Sequence, residues 1–273
     1  MIPLLTAETH DEMVAAKRAG RSTLDCSLDL RRTTSTIELR PAEWGWRDTS
    51  FPYLSAAKPR TVYYWSGHEF EAAARFTNSL FKLVPTEWGP PTFEIDGIKM
   101  LPTARVSPFE DARQKVGLVE PRGKVVLDTC GGLGYFASWC LRGDAARVLS
   151  FEKSPDVIWL RGLNPWSPST DERLTLTRGD VVAAITTLPS RSVDAVLHDP
   201  PRFGIAGELY AQSFYDQLAR VTKSGGKLFH YTGRPNKLTT GRDVPKEVAK
   251  RLQTSGFRTK LLGDGVFATK VRE

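Results

Sequence analysis

Long hydrophobic runs are missing from this sequence. Nothing in its 273 residues approaches the roughly 18 consecutive apolar residues that a membrane span needs. The opening stretch MIPLLTAETHDEM carries a short apolar patch but neither a basic start nor a cleavable apolar core, so no secretory leader is expected. Cysteine is scarce. Cys26, Cys130 and Cys140 form an odd, widely spaced set with no CxxC pair, which argues against a disulfide framework or a zinc site and for small buried thiols in a reducing compartment. Repeats and low-complexity segments are absent too. What remains, 40% apolar and 25% charged residues, is the composition of a globular chain, expected to be soluble and cytoplasmic.

The net charge of +7 is unevenly spread. Residues 1–110 hold 13 Lys/Arg against 14 Asp/Glu, whereas residues 111–273 hold 25 against 17. Nine basic residues fall within 227–260: Lys227, Arg234, Lys237, Arg242, Lys246, Lys250, Arg251, Arg258 and Lys260. Such a face either meets an anionic partner such as RNA or is simply solvated. The lack of aromatic residues among the charges favours solvation over a single-strand binding platform.

Periodicity divides the chain near residue 105. Residues 1–105 read as a small mixed, β-rich domain, with strand patterns over 21–32, 33–40, 61–65 and 82–85 and a hairpin around the Asp96-Gly97 turn. The spacing in 69–80 (EFEAAARFTNSL) predicts a helix. Trp44, Trp46, Tyr63, Tyr64 and Trp65 are expected to fill this domain's core rather than cover a substrate. Residues 106–273 alternate. Strand patterns at 125–127, 147–151, 174–177, 193–197 and 226–231 are followed by helix patterns at 135–142, 156–163, 181–188, 207–221 and 244–254, and strand patterns at 257–262 and 265–270 close the chain. This predicts an α/β domain, a doubly wound, mostly parallel sheet with an antiparallel edge, whose ligand site lies at the carboxyl ends of the strands.

Acids stand at those ends. Asp128 closes the first strand ahead of the turn Cys130-Gly131-Gly132-Leu133-Gly134, Glu152 closes the second, and Asp180 follows the third. A glycine turn alone is often just a tight βα connection, and each acid alone serves as a helix N-cap, but three in register point to a ligand. A carboxylate about 20 residues past the turn suits ribose hydroxyls. The spacing does not match the G-x-G-x-x-G of a dinucleotide site. Asp128 would repel a pyrophosphate, yet it suits an ammonium group.

The stretches LDTCGGLGYF, VLSFEKSP, TRGD and VDAVLHDPPRF, in this order, resemble class I S-adenosylmethionine-dependent methyltransferases over roughly 105–273. PTFEIDGIKM, LNPWSP, HDPPRFGIAGELY and LFHYTGRP resemble, more narrowly, a group of predicted archaeal-type methyltransferases with a spermine/spermidine-synthase-like fold. The resemblance implies a Rossmann-like sheet of seven strands, the last antiparallel, and S-adenosylmethionine as cofactor. It implies that Asp128 and the backbone of Gly131, Gly132 and Gly134 face the amino-acid part, that Glu152, with Lys153 beside it, holds the ribose, and that Asp180 reaches the adenine amine. Cys130 replaces the first glycine of the family's usual motif.

In amino-group methyltransferases of this kind, a D/N-P-P-aromatic motif holds a planar amine. Here that implies Asp199, which also borders the cofactor, as the catalytic residue, with Pro200, Pro201, Arg202 and Phe203 at the substrate; Tyr231, on the loop after His230, is a candidate to shape the acceptor pocket. Arg202 stands where the aromatic residue is usual, and Phe203 follows one place later. Arg234, downstream, is a further candidate for the acceptor pocket. His198 and His230 end their strands; each is either a catalytic base at the mouth or a histidine satisfied by backbone groups. No cysteine follows residue 140, which disfavours carbon-5 methylation of pyrimidines through a thiol nucleophile. Three functions stand: methylation of a nitrogen on RNA or a small amine, aminopropyl transfer to a polyamine from the decarboxylated cofactor, and a non-catalytic binding module. The basic second half counts against a polyamine acceptor, and retention of Asp128, Glu152, Asp180 and Asp199 together counts against the module. The acceptor and the oligomeric state stay open.

Overall fold

The computed structural model describes residues 2–233 and 243–271. They form two compact units. The first is Met1–Asp111 with Trp159–Ser167; the second is Ala112–Ile158 with Pro168–Glu273. Among the described residues, no helix is long and apolar enough to cross a membrane.

The first unit is built of antiparallel hairpins. Thr23–Cys26, Ser35–Leu39, Glu43–Trp46 and Thr49–Pro52 form one meander. Ala74–Phe76, Leu80–Val84, Thr92–Ile95 and Ile98–Lys99 form another, turned at Asp96-Gly97, both with positive φ as a two-residue hairpin requires. The core is aromatic: Trp44 is fully buried and stacks on Phe51 at 4.7 Å, and Trp65 meets Phe51 edge-on at 5.2 Å. The helix expected over 69–80 is absent. Phe70–Ala72 pairs with Tyr63–Trp65, and Ala74–Phe76 pairs with Leu80–Val84. Between them the fully buried Ala73 donates to Val62 O and accepts from Leu83 N, passing the chain from one sheet to the next. Long-range pairing overrides the local helical pattern here. Helix Ala7–Arg18, which the sequence reading did not anticipate, starts at Thr6, whose hydroxyl accepts from Thr9 N. Trp166 of LNPWSP also belongs to this unit, donating its indole N–H to Leu30 O at 3.0 Å.

The second unit is a seven-stranded sheet. Its strands are β1 (Val125–Asp128), β2 (Arg147–Glu152), β3 (Leu174–Arg178), β4 (Val193–His198), β5 (Thr222–Tyr231), β6 (Phe257–Leu262) and β7 (Gly265–Lys270). Their order is β3-β2-β1-β4-β5-β7-β6, with β7 antiparallel to both neighbours. The antiparallel strand is therefore not the edge; β6 is. The order reverses between β1 and β4, the switch point at which such sheets open a crevice. β7 comes very close to β5 at its start. A Cβ on Gly265 would stand 2.6 Å from the Phe229 ring and 2.7 Å from His230 O, so only glycine fits.

Helices Tyr135–Arg142 and Val244–Thr254 have the expected bounds. The expected helix over 181–188 is shorter, Val181–Ala184 followed by a 3₁₀ turn Ile185–Thr187, because Thr186 and Thr187 bond back to Ala183 O and Ala184 O. The one expected over 207–221 divides into a 3₁₀ turn, Gly207–Tyr210, and a helix, Gln212–Val221. Helix Pro108–Val119 is a further element not anticipated. The core between sheet and helices holds Leu127, Val196, Phe214, Tyr215, Leu218 and Leu252 among others.

Candidate active site

The carboxyl ends of β1, β2 and β3 are laced together by their own backbone. Gly131 N donates to Phe151 O (2.7 Å), Gly132 N to Glu152 Oε2 (2.9 Å) and Gly179 N to Glu152 O (3.0 Å). Gly132 (φ 49°) and Gly134 (φ 81°) occupy left-handed conformations, which is why glycine stands there. Gly134 caps helix Tyr135–Arg142 without a side chain, so the helix N-terminus is aimed at the turn.

The acids differ in burial. Asp128 is completely buried, and its Oδ2 accepts from Ser150 Oγ at 2.8 Å. Glu152 is half-buried, and its two oxygens accept from Gly132 N and Ser154 N. Asp180 is half-buried, caps Val182 N at 2.9 Å and accepts from Lys153 Nζ at 2.8 Å. The Lys153 ammonium holds its carboxyl below the usual range. Asp180 is thus both the N-cap and half of an ion pair that accounts for Lys153. Cys130 lies among the acids. Burial pushes its thiol well up, and the nearby carboxylates Glu152, Asp128 and Asp199 push it further, so it is an inert thiol.

At the ends of β4 and β5 the picture changes. His198 and His230 stand in register and are completely buried, their rings 4.3 Å apart in a T-shaped contact. His198 Nε2 lies 3.1 Å from Leu209 O, a carbonyl that can only accept, so Nε2 carries the proton and Nδ1 accepts from the Thr129 hydroxyl at 2.7 Å. His230 is the mirror case: Nδ1–H donates to Tyr231 O (2.8 Å), and Nε2 accepts from the Tyr215 hydroxyl (3.0 Å). Burial depresses both, His198 to about 4 and His230 well below its ordinary value. The expectation of catalytic bases at the mouth therefore needs correction: neither ring has an open nitrogen, and both are core histidines.

Asp199, one residue beyond His198, is half-buried. Pro200 is buried and Pro201 half-buried, and Pro201 O accepts from the Tyr210 hydroxyl at 3.2 Å. Burial raises the pKa of Tyr210, and Asp199 raises it further. Arg251 donates to Tyr210 O, pinning the turn that follows. Arg202 is exposed; Phe203 is 39% exposed and meets Tyr210 edge-on at 5.5 Å. Tyr231, half-buried at the end of β5, carries the Lys115 ammonium 4.0 Å from its ring centroid. Lys115 is buried, and the sequence reading missed it. Arg234, Lys237 and Arg242 lie outside the described residues.

The chain is 38% identical over 260 residues to the uncharacterised protein MJ1233 of Methanocaldococcus jannaschii, an alignment covering 90% of this chain and 89% of that one. No family model matches. A spermidine synthase solved with the transition-state analogue AdoDATO shares 18% identity and 73% of each chain at a TM-score of 0.61. Spermidine synthase from Thermotoga maritima shares 18% identity, 73% of this chain and 72% of that one at 0.57. These likenesses establish the fold. Solved S-adenosylmethionine-dependent methyltransferases match at TM-scores of 0.44 to 0.46. By its identity and coverage the chain belongs to the same family as MJ1233.

Proposed function

We propose, with that membership as the premise, that this chain is an S-adenosylmethionine-dependent methyltransferase that methylates a nitrogen held at Asp199-Pro200-Pro201. One observation carries the reading: the glycine turn that follows Asp128 at the end of β1 is tied to the end of β2 through Gly131 N to Phe151 O (2.7 Å) and Gly132 N to Glu152 Oε2 (2.9 Å), so that two strand-end carboxylates gather at one turn. A concentration of negative charge there suits a ligand with a sulfonium and an ammonium, and repels phosphate. The donor groups fit. Glu152 offers a half-buried carboxylate for ribose hydroxyls, Asp180 a half-exposed one for the adenine amine, and the positive-φ glycines keep Cβ atoms off the turn. Asp128 acts differently from the expectation of a ligand-facing acid. Buried on Ser150, it positions the turn and contributes charge.

When bound, S-adenosylmethionine supplies a methyl group already activated on a positive sulfur. The chain's task is then to orient the acceptor in line and exclude water. Asp199 accepts one acceptor N–H and takes the proton released. The Pro200 carbonyl, fixed by flanking proline rings, accepts a second N–H. Phe203, Arg202 and Tyr231 border the acceptor.

The likeness to spermidine synthase, which extends over 73% of the chain, favours a second reading: aminopropyl transfer from the decarboxylated cofactor. Calorimetry with S-adenosylmethionine, its decarboxylated form and S-adenosylhomocysteine separates the two. We expect micromolar binding of the first and third. Preference for the decarboxylated form would establish the second reading, and binding of none would overturn both.

A further inference from the structure

Lys115 is the feature the proposed chemistry does not use. It lies on helix Pro108–Val119, where Ala112, Val116 and Val119 are buried with it on one face. A lysine ordinarily leads its ammonium out to water; this one ends 4.0 Å from the centroid of the Tyr231 ring. Tyr231 ends β5, and Asp199 follows β4. The residues before them, His198 and His230, are in register, so Tyr231 and Asp199 are neighbours at the rim. Tyr210 joins the two strand ends: its hydroxyl donates to Pro201 O, two residues past Asp199, at 3.2 Å, and its ring lies 5.3 Å from that of His230, the residue before Tyr231. An ammonium held against the aromatic wall of that rim offsets the negative charge of Asp199.

We infer that Lys115 is a specificity-determining residue that keeps the acceptor pocket close to electroneutral, so that it takes acceptors without net positive charge and refuses polyamines. This rests on the reading of Asp199 as the acceptor end of the site. A diamine binds by placing its ammonium groups against uncompensated carboxylates. Here it would bring a second cation beside a buried one, and repulsion between like charges in a low-dielectric wall weakens binding by about tenfold or more. The cation–π contact also fixes the ring that borders the acceptor.

The test uses the full chain and putrescine as probe, with and without S-adenosylhomocysteine. Lys115→Met keeps the apolar stem and removes the charge, while Lys115→Arg keeps the charge. We expect millimolar or weaker putrescine binding by the wild type and by Lys115→Arg, and binding at least tenfold tighter by Lys115→Met. Tight putrescine binding by the wild type, or a Lys115→Met protein indistinguishable from it, would overturn the inference. S-adenosylmethionine titrated into the same preparations reports on the methyltransferase reading separately, since its binding does not depend on which diamine result is obtained. Circular dichroism of each variant distinguishes a lost fold from a changed pocket.

Discussion

The rim of the seven-stranded sheet has two halves built on different principles. Over β1, β2 and β3 the side chains are acids: Glu152 and Asp180 are half-buried and accept from backbone N–H groups of adjacent turns, while Asp128 is buried on Ser150. Over β4 and β5 the side chains are imidazoles, phenols and a lysine, mostly buried, and bonded through their tips to hydroxyls and carbonyls. The first half keeps two of its charges near water, where the proposed ligand would meet them. The second is held by a buried network in which every polar atom needs its partner. Perturbing the first should change affinity with little effect on stability, and perturbing the second should do the reverse.

Acid provides the largest contrast. His198 is neutral in the fold, with a value of about 4, whereas in the unfolded chain it titrates near 6.5. Between these values the unfolded state binds the extra proton. The stability His198 contributes is therefore complete above about 6.5 and drains as pH falls toward 4, by about 3 kcal/mol for this group alone. Urea midpoints at pH 7, 5.5 and 4.5 should fall in that order. A midpoint flat across the series would erase the distinction between the halves.

Glu152→Ala should act oppositely. It removes the proposed ribose acceptor and leaves two turn amides to water, and we expect S-adenosylmethionine affinity to drop about thirtyfold, or about 2 kcal/mol, with the urea midpoint nearly unchanged. Equal losses in both measurements would blur the division. Thr129→Val tests the seam between the halves, since its hydroxyl leaves β1 to serve His198. We expect about 1–2 kcal/mol of lost stability by chemical denaturation, from a buried Nδ1 without its donor. The smallest effect belongs to Asp180→Ala. Losing an N-cap at an exposed site costs about 1 kcal/mol, and its ion pair with Lys153, largely in water, adds little. A larger loss would mean that the first half is also held from within.

The same contrast explains what could be read in advance. Strand ends carrying Asp128, Glu152, Asp180 and Asp199 are visible in sequence because the apolar run before each one fixes its place. The seven strands were legible for the same reason. The state of His198 and His230 was not: a histidine at a strand end has the same spelling whether its ring turns into the core or the mouth, and only Thr129, Leu209 and Tyr215, brought from elsewhere, decide it. The helix misread over 69–80 shows local periodicity losing to pairing with Tyr63–Trp65 and Leu80–Val84. Lys115 was within reach. Ser107-Pro108-Phe109-Glu110 has a cap residue, proline at the first helical position and an acid at the third, and Glu110 N does donate to Ser107 Oγ at 3.0 Å. With that helix drawn, positions 112, 115, 116 and 119 share a face, and a lysine in an apolar stripe becomes conspicuous.

The placement of β7 has a consequence for the order of assembly. β5, which ends in His230 and Tyr231, receives one neighbour from residues 193–198 but its other from residues 265–270. During synthesis its backbone stays unpaired on that side until some thirty-five further residues have emerged. A ribosome-bound chain halted after β5 would present an open, sticky strand edge, whereas β1, β2 and β3 would already be zipped. The β5 side of the sheet is the last part to close, and a chaperone that shields nascent chains would find its client surface there.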